Sequence, residues 1–497
     1  MMHKRILLGL AIVLLNLSGC ATFDLSREPA PARVSRVDSP CGQWLAAVDG
    51  AVSRAGVKDA AAYPVPGFPY LRVDRFTASF ARQAPGNDAL FAAWTRAARA
   101  LDREGRAVEL RNLPAVALAG IAAGSSAAAA SRYESCADQL MIADLADPAL
   151  RQLAAANARV PDDYNDFNRV VGLYPLVRPI FAAGVARWHE EAVEAFRRYE
   201  KNPRSATPVT RYAPRQEKPL SQREAAAMLA QAPRDALGRV VPASRELERL
   251  FEAYAPVFEV ESGGTFDALG ALEWRDEPHP SVATARPVVY RRIAYTRYGA
   301  EVLPQLVYTA WFPERPRESA ADILAGKLDG LVFRVTLARD GSPLVFDSIH
   351  PCGCYHMFFP TARLRELPSP RPGDEWSFVP ASAPSAAGAQ RIVLHLQSRT
   401  HYLTGISAEA ERAGVEYALE DEDSLRSLRL PDGGYRSIYA ADGLVTGSER
   451  PERWLFWPMG VPSAGTMRQW GHAATAFLGR RHFDDADLIE RRFAPVQ

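Results

Sequence analysis

The hydrophobic period changes once along this chain, near residue 255, and that change limits the folds open to it. Between residues 41 and 255 apolar side chains recur at spacings of three and four, the period of a helix with one buried face. "DALFAAWTRAARALDREG" predicts a helix that stops at Gly105. "RPIFAAGVARWHEEAVEAFRRYEKNP" predicts one that begins after Pro179, with Phe181, Val185, Trp188, Val193 and Phe196 near one face. Ser221 and Glu224 have the spacing of a capping box, so another helix is expected to start there. Residues 114 to 130 carry no charge, but Ala, Gly and Ser dominate them, which favours close helix packing over lipid insertion.

Beyond residue 255 the texture is that of strands. "VVYRRIAYTRY", "QLVYTAWFP", "DGLVFRVTLARDGSPLVFDSI", "QRIVLHLQS" and "GVEYALED" are short runs rich in Val, Ile, Tyr and Phe. Asp340 and Gly341 supply turn chemistry for a hairpin. Short helices are expected at "ESAADILAGKL" and "AGTMRQWGHAATAFLG", and residues 202 to 220, rich in proline, are expected to form an extended surface arm. The fold class expected is therefore α+β: a mainly helical domain, 41–255, followed by a mainly antiparallel β-rich domain with short helices, 256–497.

The chain opens "MMHKRILLGLAIVLLNLSGCATFD", a basic start followed by a short apolar run and small residues, the layout of a secretory signal. Its apolar run of about ten residues is well short of the roughly 20 that a membrane-spanning helix needs. Leu17, Ser18, Gly19 and Cys20 resemble the lipobox of bacterial lipoproteins. The resemblance implies that residues 1–19 are removed as a signal peptide and that Cys20 carries lipid. With Ala21 rather than aspartate after the cysteine, it implies a protein anchored in the outer membrane and facing the periplasm. Residues 20–40 hold three prolines and few apolar side chains, and so read as a membrane tether. Losing Lys4 and Arg5 with the signal leaves 57 basic against 58 acidic residues, a balance that argues against a nucleic-acid partner. The partners expected are the membrane, through the lipid, and an envelope protein meeting the helical domain and the aromatic segments "YTAWFP" and "RWLFWPMG".

Four cysteines remain. Cys41 and Cys136 are the natural disulfide pair for an oxidising compartment, because the other two are almost adjacent. Those two lie in "HPCGCYH", where His350, Cys352, Cys354 and His356 alternate. Thiolates and imidazoles suit zinc or copper, and His401 is the preferred ligand from outside the segment. In an extended strand His350 and His356 would stand about 20 Å apart, at about 3.3 Å per residue, too far to share one ion. Either the chain turns at Pro351 and Gly353 or only a subset binds. A disulfide between Cys352 and Cys354, or a pair of buried thiols in a non-enzymatic envelope lipoprotein, is the alternative. No G-x-S-x-G elbow or P-loop occurs, and "WHEEAVEA" lacks the second histidine of a zincin helix, so no reaction is named.

The lipobox generates a first prediction. Cys20→Ser abolishes palmitate labelling and leaves an uncut precursor, read by metabolic labelling and mass spectrometry of the N-terminus; efficient labelling of the variant would refute the assignment.

Overall fold

The computed structural model describes residues 38–203, 207–215, 220–275, 278–385, 390–410 and 412–496. The signal peptide, Cys20 and nearly all of the tether lie outside the described residues. No helix among those described is long and apolar enough to cross a membrane.

Helix α1 (Pro40–Ala55) starts where the folded body was expected to begin. Ser39 accepts the Gly42 N–H, proline sits in the first turn, and Gly56 closes the helix in the left-handed conformation. The helical half continues through α2 (Arg75–Ala78), α3 (Asp88–Asn112), α4 (Ala115–Gly120), α5 (Ser126–Asp144), α6 (Pro148–Asn157), α7 (Asp166–Val171), α8 (Tyr174–Lys201), α9 (Gln222–Gln231) and α10 (Ser244–Tyr254). The capping box of Ser221 and Glu224 is present at the start of α9.

Two helix boundaries differ from expectation. α8 begins before Pro179 and carries that proline inside it. α3 runs through Gly105 to Asn112, because the glycine serves a close approach rather than a stop: a Cβ there would lie 2.6 Å from Arg72 Nη1. Arg72 is buried and pairs with Asp102 at 3.1 Å and Glu109 at 2.9 Å, and its neighbour Asp59 pairs with Arg426 at 2.7 Å. This ion-pair cluster ties α3 to the segment that follows the last strand of the large sheet.

A hairpin of β1 (Tyr63–Val65) and β2 (Phe68–Val73) interrupts the helices. The later strands are β3 (Val209–Pro214), β4 (Val257–Glu261), β5 (Ala271–Glu273), β6 (Ser281–Ala283), β7 (Val288–Tyr298), β8 (Glu301–Arg315), β9 (Gly326–Leu337), β10 (Pro343–Ile349) and β11 (Met357–Pro360). Then come β12 (Leu364–Glu366), β13 (Gln390–Leu396), β14 (Leu403–Ala410), β15 (Val415–Asp421), β16 (Leu428–Arg429), β17 (Tyr435–Arg436) and β18 (Phe493–Pro495), with the short α11 (Arg453–Phe456) between the last two. Ten strands form one sheet in the order β11-β10-β9-β8-β7-β15-β3-β4-β13-β14.

The α+β composition and the helical-then-strand order hold, but the sheet is mixed rather than mainly antiparallel. β7 to β11 form an antiparallel meander, whereas β15 runs parallel to both β7 and β3, and β13 runs parallel to β4. β3 comes from the stretch expected to be a surface arm, and it lies inside the sheet between β15 and β4. Neither short helix expected in the β half forms. At residues 318–324 the Asp322 carboxylate accepts the N–H groups of Glu318 and Leu324 and holds a turn. At 464–479 Gly465, Gly471 and Gly479 all have positive φ and break the helical period.

Cys41 on α1 and Cys136 on α5, 95 positions apart in sequence, are joined by a disulfide with Cα atoms 5.1 Å apart. Replacing both with alanine is expected to cost about 3–5 kcal/mol, by removing a cross-link that constrains the unfolded chain. Urea unfolding of the double variant checks this; an unchanged midpoint would show that the bridge adds nothing.

Candidate functional site

The segment "HPCGCYH" is not a strand. It is the loop joining β10 to β11, which pair antiparallel with Ser348 opposite Met357. Gly353 N donates to His350 O at 2.8 Å and His350 N donates to Cys354 O at 3.0 Å, closing a tight turn. Gly353 has φ +88°, and a Cβ there would sit 2.5 Å from Ala474 O, so the turn requires glycine on two counts. The chain thus bends where Pro351 and Gly353 allowed it, and the face shared by an extended segment is lost.

The bend distributes the five expected metal ligands among three environments. Buried His356 shares a hydrogen bond with Asp347 at 3.0 Å, and Asp347 also accepts Arg334 Nε at 2.9 Å. His350 and His401 meet at one carboxylate, Asp329, whose Oδ1 is 3.3 Å from His350 Nδ1 and whose Oδ2 is 2.9 Å from His401 Nδ1. Arg450 Nη2 reaches Asp329 at 3.3 Å, and His401 Nε2 lies 3.3 Å from Asp267 Oδ1. Cys352 and Cys354 are free thiols that share a hydrogen bond with each other. The five donors therefore do not gather at one point.

Among the described residues, the group of three ligand-type atoms that does converge is Glu259, His395 and Glu409, on β4, β13 and β14. Arg211 bonds both of these carboxylates, Arg412 bonds Glu409, and Tyr199 OH is 2.6 Å from His395 Nε2. The hydrogen bond and charge of His395, together with Arg211, hold the Glu259 carboxyl down to about 2. This is an ion-pair cluster whose anionic oxygens are already neutralised.

Burial alone would raise the Asp329 carboxyl, but the Arg450 charge and its hydrogen bonds with His350 and His401 outweigh burial and hold it well below the usual carboxylate range. The two histidines then divide. Burial pushes His350 down despite Asp329, whereas hydrogen bonds to Asp267 and Asp329 overcome burial and raise His401. The backbone around them is strained. Leu328, Tyr355, Arg399 and His401 are four of the seven non-glycine residues with positive φ among those described. Each such position costs roughly 1–3 kcal/mol and persists only where its surroundings over-determine it, which concentrates such residues at functional sites.

Above this polar base lies a cavity of about 450 Å³. Its roof is the first half of α8, with Phe181, Gly184, Val185, Trp188 and His189; its floor is Gly353, Cys354, Tyr355 and His356. Glu375, Trp376 and Phe378 form one wall, and Glu452, Phe456, Val461 and residues 474–477 form the other. Its size and aromatic lining are those of a small-molecule site. The lining also carries the ion pair of Arg481 with Glu375 at 3.8 Å, and three further polar groups bear on its chemistry. His189 stacks on Phe378 at 3.9 Å and is driven down to about 4, first by burial, so its imidazole is neutral. Burial raises the Glu452 carboxyl to about 7 against the pull of Arg450 and Arg315. The Glu452 side chain makes no hydrogen bond among the described residues, and Gly465 leaves it room: a Cβ there would lie 1.8 Å from Oε1. The third group is the Cys354 thiol.

Sequence reasoning pointed to the Cys354 loop and to His401, but it missed Glu452, His189, Asp329 and Asp267. Each stands alone in sequence, and only tertiary packing supplies its partner. His401 was expected in a loop; it does end a turn, yet it is fully buried and stacked on Phe312 at 4.0 Å.

The buried His356 makes acid stability testable. Its pKa is driven to about 3, first by burial, against an ordinary value near 6.5, so the fold holds it neutral. The stability it contributes is complete above about pH 6.5 and is lost as pH falls toward about 3, at up to about 1.4 kcal/mol per pH unit. His356→Gln is expected to flatten the decline of the urea midpoint between pH 6.5 and 4 by about one proton; an unchanged slope would show that His356 does not set it. No family model matches the chain, and neither does any curated protein or solved structure.

Proposed function

We propose that this protein is a lipoprotein anchored in the outer membrane through Cys20, facing the periplasm, that binds an apolar molecule in the cavity beneath α8. The observation that carries this reading is an exposed apolar surface that adjoins the cavity wall at Ile180 and Phe456. Phe167 on α7, Leu176 and Ile180 on α8 and Trp454 on α11 are 72, 71, 73 and 70% exposed, with Val171, Leu173 and Leu455 beside them. The segments are in contact: Asn165 N donates to Gly460 O at 2.7 Å and Arg169 Nε donates to Met459 O at 2.9 Å. Phe456 packs against Phe181 at 5.3 Å and Phe477 at 5.4 Å, so this outer surface continues into the cavity wall. Apolar patches of this kind on soluble bodies mark interaction or ligand-entry surfaces.

The exposed part of "RWLFWPMG" belongs to this patch, whereas Trp311 and Phe312 of "YTAWFP" are core. The described body begins eighteen residues after Cys20, a tether of at most about 60 Å. A lipid on Cys20 would keep the patch within reach of the bilayer, and a neutral apolar ligand could pass from membrane to cavity without crossing much water. The two thiols of the loop supply half of a tetrahedral zinc set, so a zinc or copper ion there would need ligands that the described residues do not bring to it.

Gly184 tests the cavity directly. It faces the site, and nothing lies within 4 Å of a Cβ built on it. Gly184→Ala is expected to gain about 0.5–1 kcal/mol of stability, since glycine is unfavourable inside a helix, while leaving binding intact. Gly184→Trp is expected to weaken saturable binding of a dansylated long-chain fatty acid at least tenfold while preserving the circular dichroism spectrum. Equal binding by both variants, or no saturable binding by the parent, would overturn the proposal. Retained contact with a purified envelope protein but none with the fatty acid would favour a protein-interaction role for the patch.

A further inference from the structure

The two thiols of the β10–β11 loop are set apart from every other cysteine in the described chain. Cys41 and Cys136 are bridged to each other, while Cys352 and Cys354 are free. The turn that closes on Gly353 folds the chain back between them, and the two sulfurs share a hydrogen bond. Across an extended residue their Cα separation would approach about 7 Å, the upper limit for a disulfide, and the bend relieves that constraint. They are also unequal. Cys352 is buried in an apolar cluster with Trp311 and Met467, whereas Cys354 is only half-buried and lines the cavity. Among the described residues no third ligand-type atom joins the two sulfurs in a cluster.

We propose that Cys352 and Cys354 form a redox-active dithiol that exchanges with a disulfide flanked by apolar groups, admitted through the cavity beneath α8. Cys354 is the sulfur the substrate meets. It attacks one sulfur of the substrate disulfide, breaking that bond, forming a mixed disulfide and releasing the first substrate thiol. Cys352, held behind it, attacks the Cys354 sulfur, forms the Cys352–Cys354 disulfide and expels the second substrate thiol. Two protein thiols lose two electrons and two protons, and one substrate disulfide gains them; the reverse reaction reduces the protein pair at the expense of a substrate dithiol.

The surroundings fit this division of labour. The hydrogen bond from Cys354 favours the anionic form of Cys352, and Arg450 adds its positive field. The hydrogen bond to Cys352, and then burial, hold the Cys354 thiol well above its ordinary range, so the cavity-facing sulfur attacks as its proton passes to the Cys352 thiolate. Glu452 faces the same cavity, and its charge raises both thiols, so its protonated form favours thiolate formation. With its carboxyl poised near neutrality and free of other hydrogen bonds among the described residues, it relays the second thiol proton to the departing sulfur. The aromatic wall around Cys354, chiefly Trp188, Tyr355 and Phe378, accounts for a preference for apolar flanks. The assignment stands apart from the identity of any apolar ligand, because it depends on the sulfurs and not on what else the cavity holds.

The experiment uses the full mature protein, its loop thiols reduced under conditions that leave Cys41–Cys136 intact, with 4,4′-dithiodipyridine as an uncharged aromatic disulfide probe whose leaving group takes up a proton at neutral pH. The expected result is release of two 4-thiopyridone molecules per protein, no adduct by mass spectrometry, and a Cys352–Cys354 disulfide by peptide mapping. Cys352→Ser is expected to stop at the mixed disulfide on Cys354, with one thiol released, and Cys354→Ser is expected to react more than tenfold more slowly. Glu452→Gln is expected to slow release of the second thiol and to remove its pH dependence near neutrality. Two adducts on the parent protein would overturn the proposal, as would the absence of reaction. Protection of both thiols by one equivalent of zinc in the protein as isolated would also overturn it, in favour of a metal site. The parent-protein measurement decides the matter even if a variant fails to fold.

Discussion

The carboxylate of Asp329 organises the site. It is almost fully buried, and it is bonded at once to His350 at the root of the β10–β11 loop, to His401 at the end of the turn between β13 and β14, and to Arg450 just before Glu452. Three segments that are distant in sequence are held at one anion, and each carries a piece of the cavity or its support. Removing one partner from such a buried cluster leaves the remaining charge without compensation, a loss of about 3–5 kcal/mol. That cost explains how the chain tolerates left-handed backbone at Leu328, Tyr355 and His401. The strain is local, while the ion pairs that oppose it are shared.

Above this base the chemistry becomes apolar. α8 covers the loop with Phe181 and Trp188 and leaves a gap at Gly184, and the segment 452–461 completes the wall. Burial keeps His189 neutral and raises Glu452, while the charged lining residues stand as opposite pairs, Arg481 with Glu375 at 3.8 Å and Arg187 with Glu191 at 3.6 Å. The exposed rings and aliphatic chains that adjoin the cavity wall extend the apolar character outward. The site thus joins a bonded polar base and a largely aromatic chamber, with the two thiols at the boundary between them.

Much of the secondary structure was legible because its causes are local. The Ser221–Glu224 capping box, the helical period of α3 and α8, and the Asp340–Gly341 hairpin, where Gly341 N bonds Ala338 O, each need only neighbouring residues. What was not legible depends on distant partners. Gly105 reads as a helix stop until Arg72 is found against it. Residues 209–214 read as an arm because nothing local announces that β15 and β4 will flank them. The alternating "HPCGCYH" suggested one shared face, and a single left-handed glycine dispersed its histidines to two different carboxylates. The thiols stayed together because they are two residues apart on either side of that glycine.

Central to the account is the claim that the chamber beneath α8 holds an apolar molecule in the cell. Organic extraction and mass spectrometry of protein purified from the envelope in mild detergent test it most directly. The account predicts a defined apolar species at about one equivalent, depleted from a Gly184→Trp protein prepared in the same way. Indistinguishable extracts from the two proteins would contradict it.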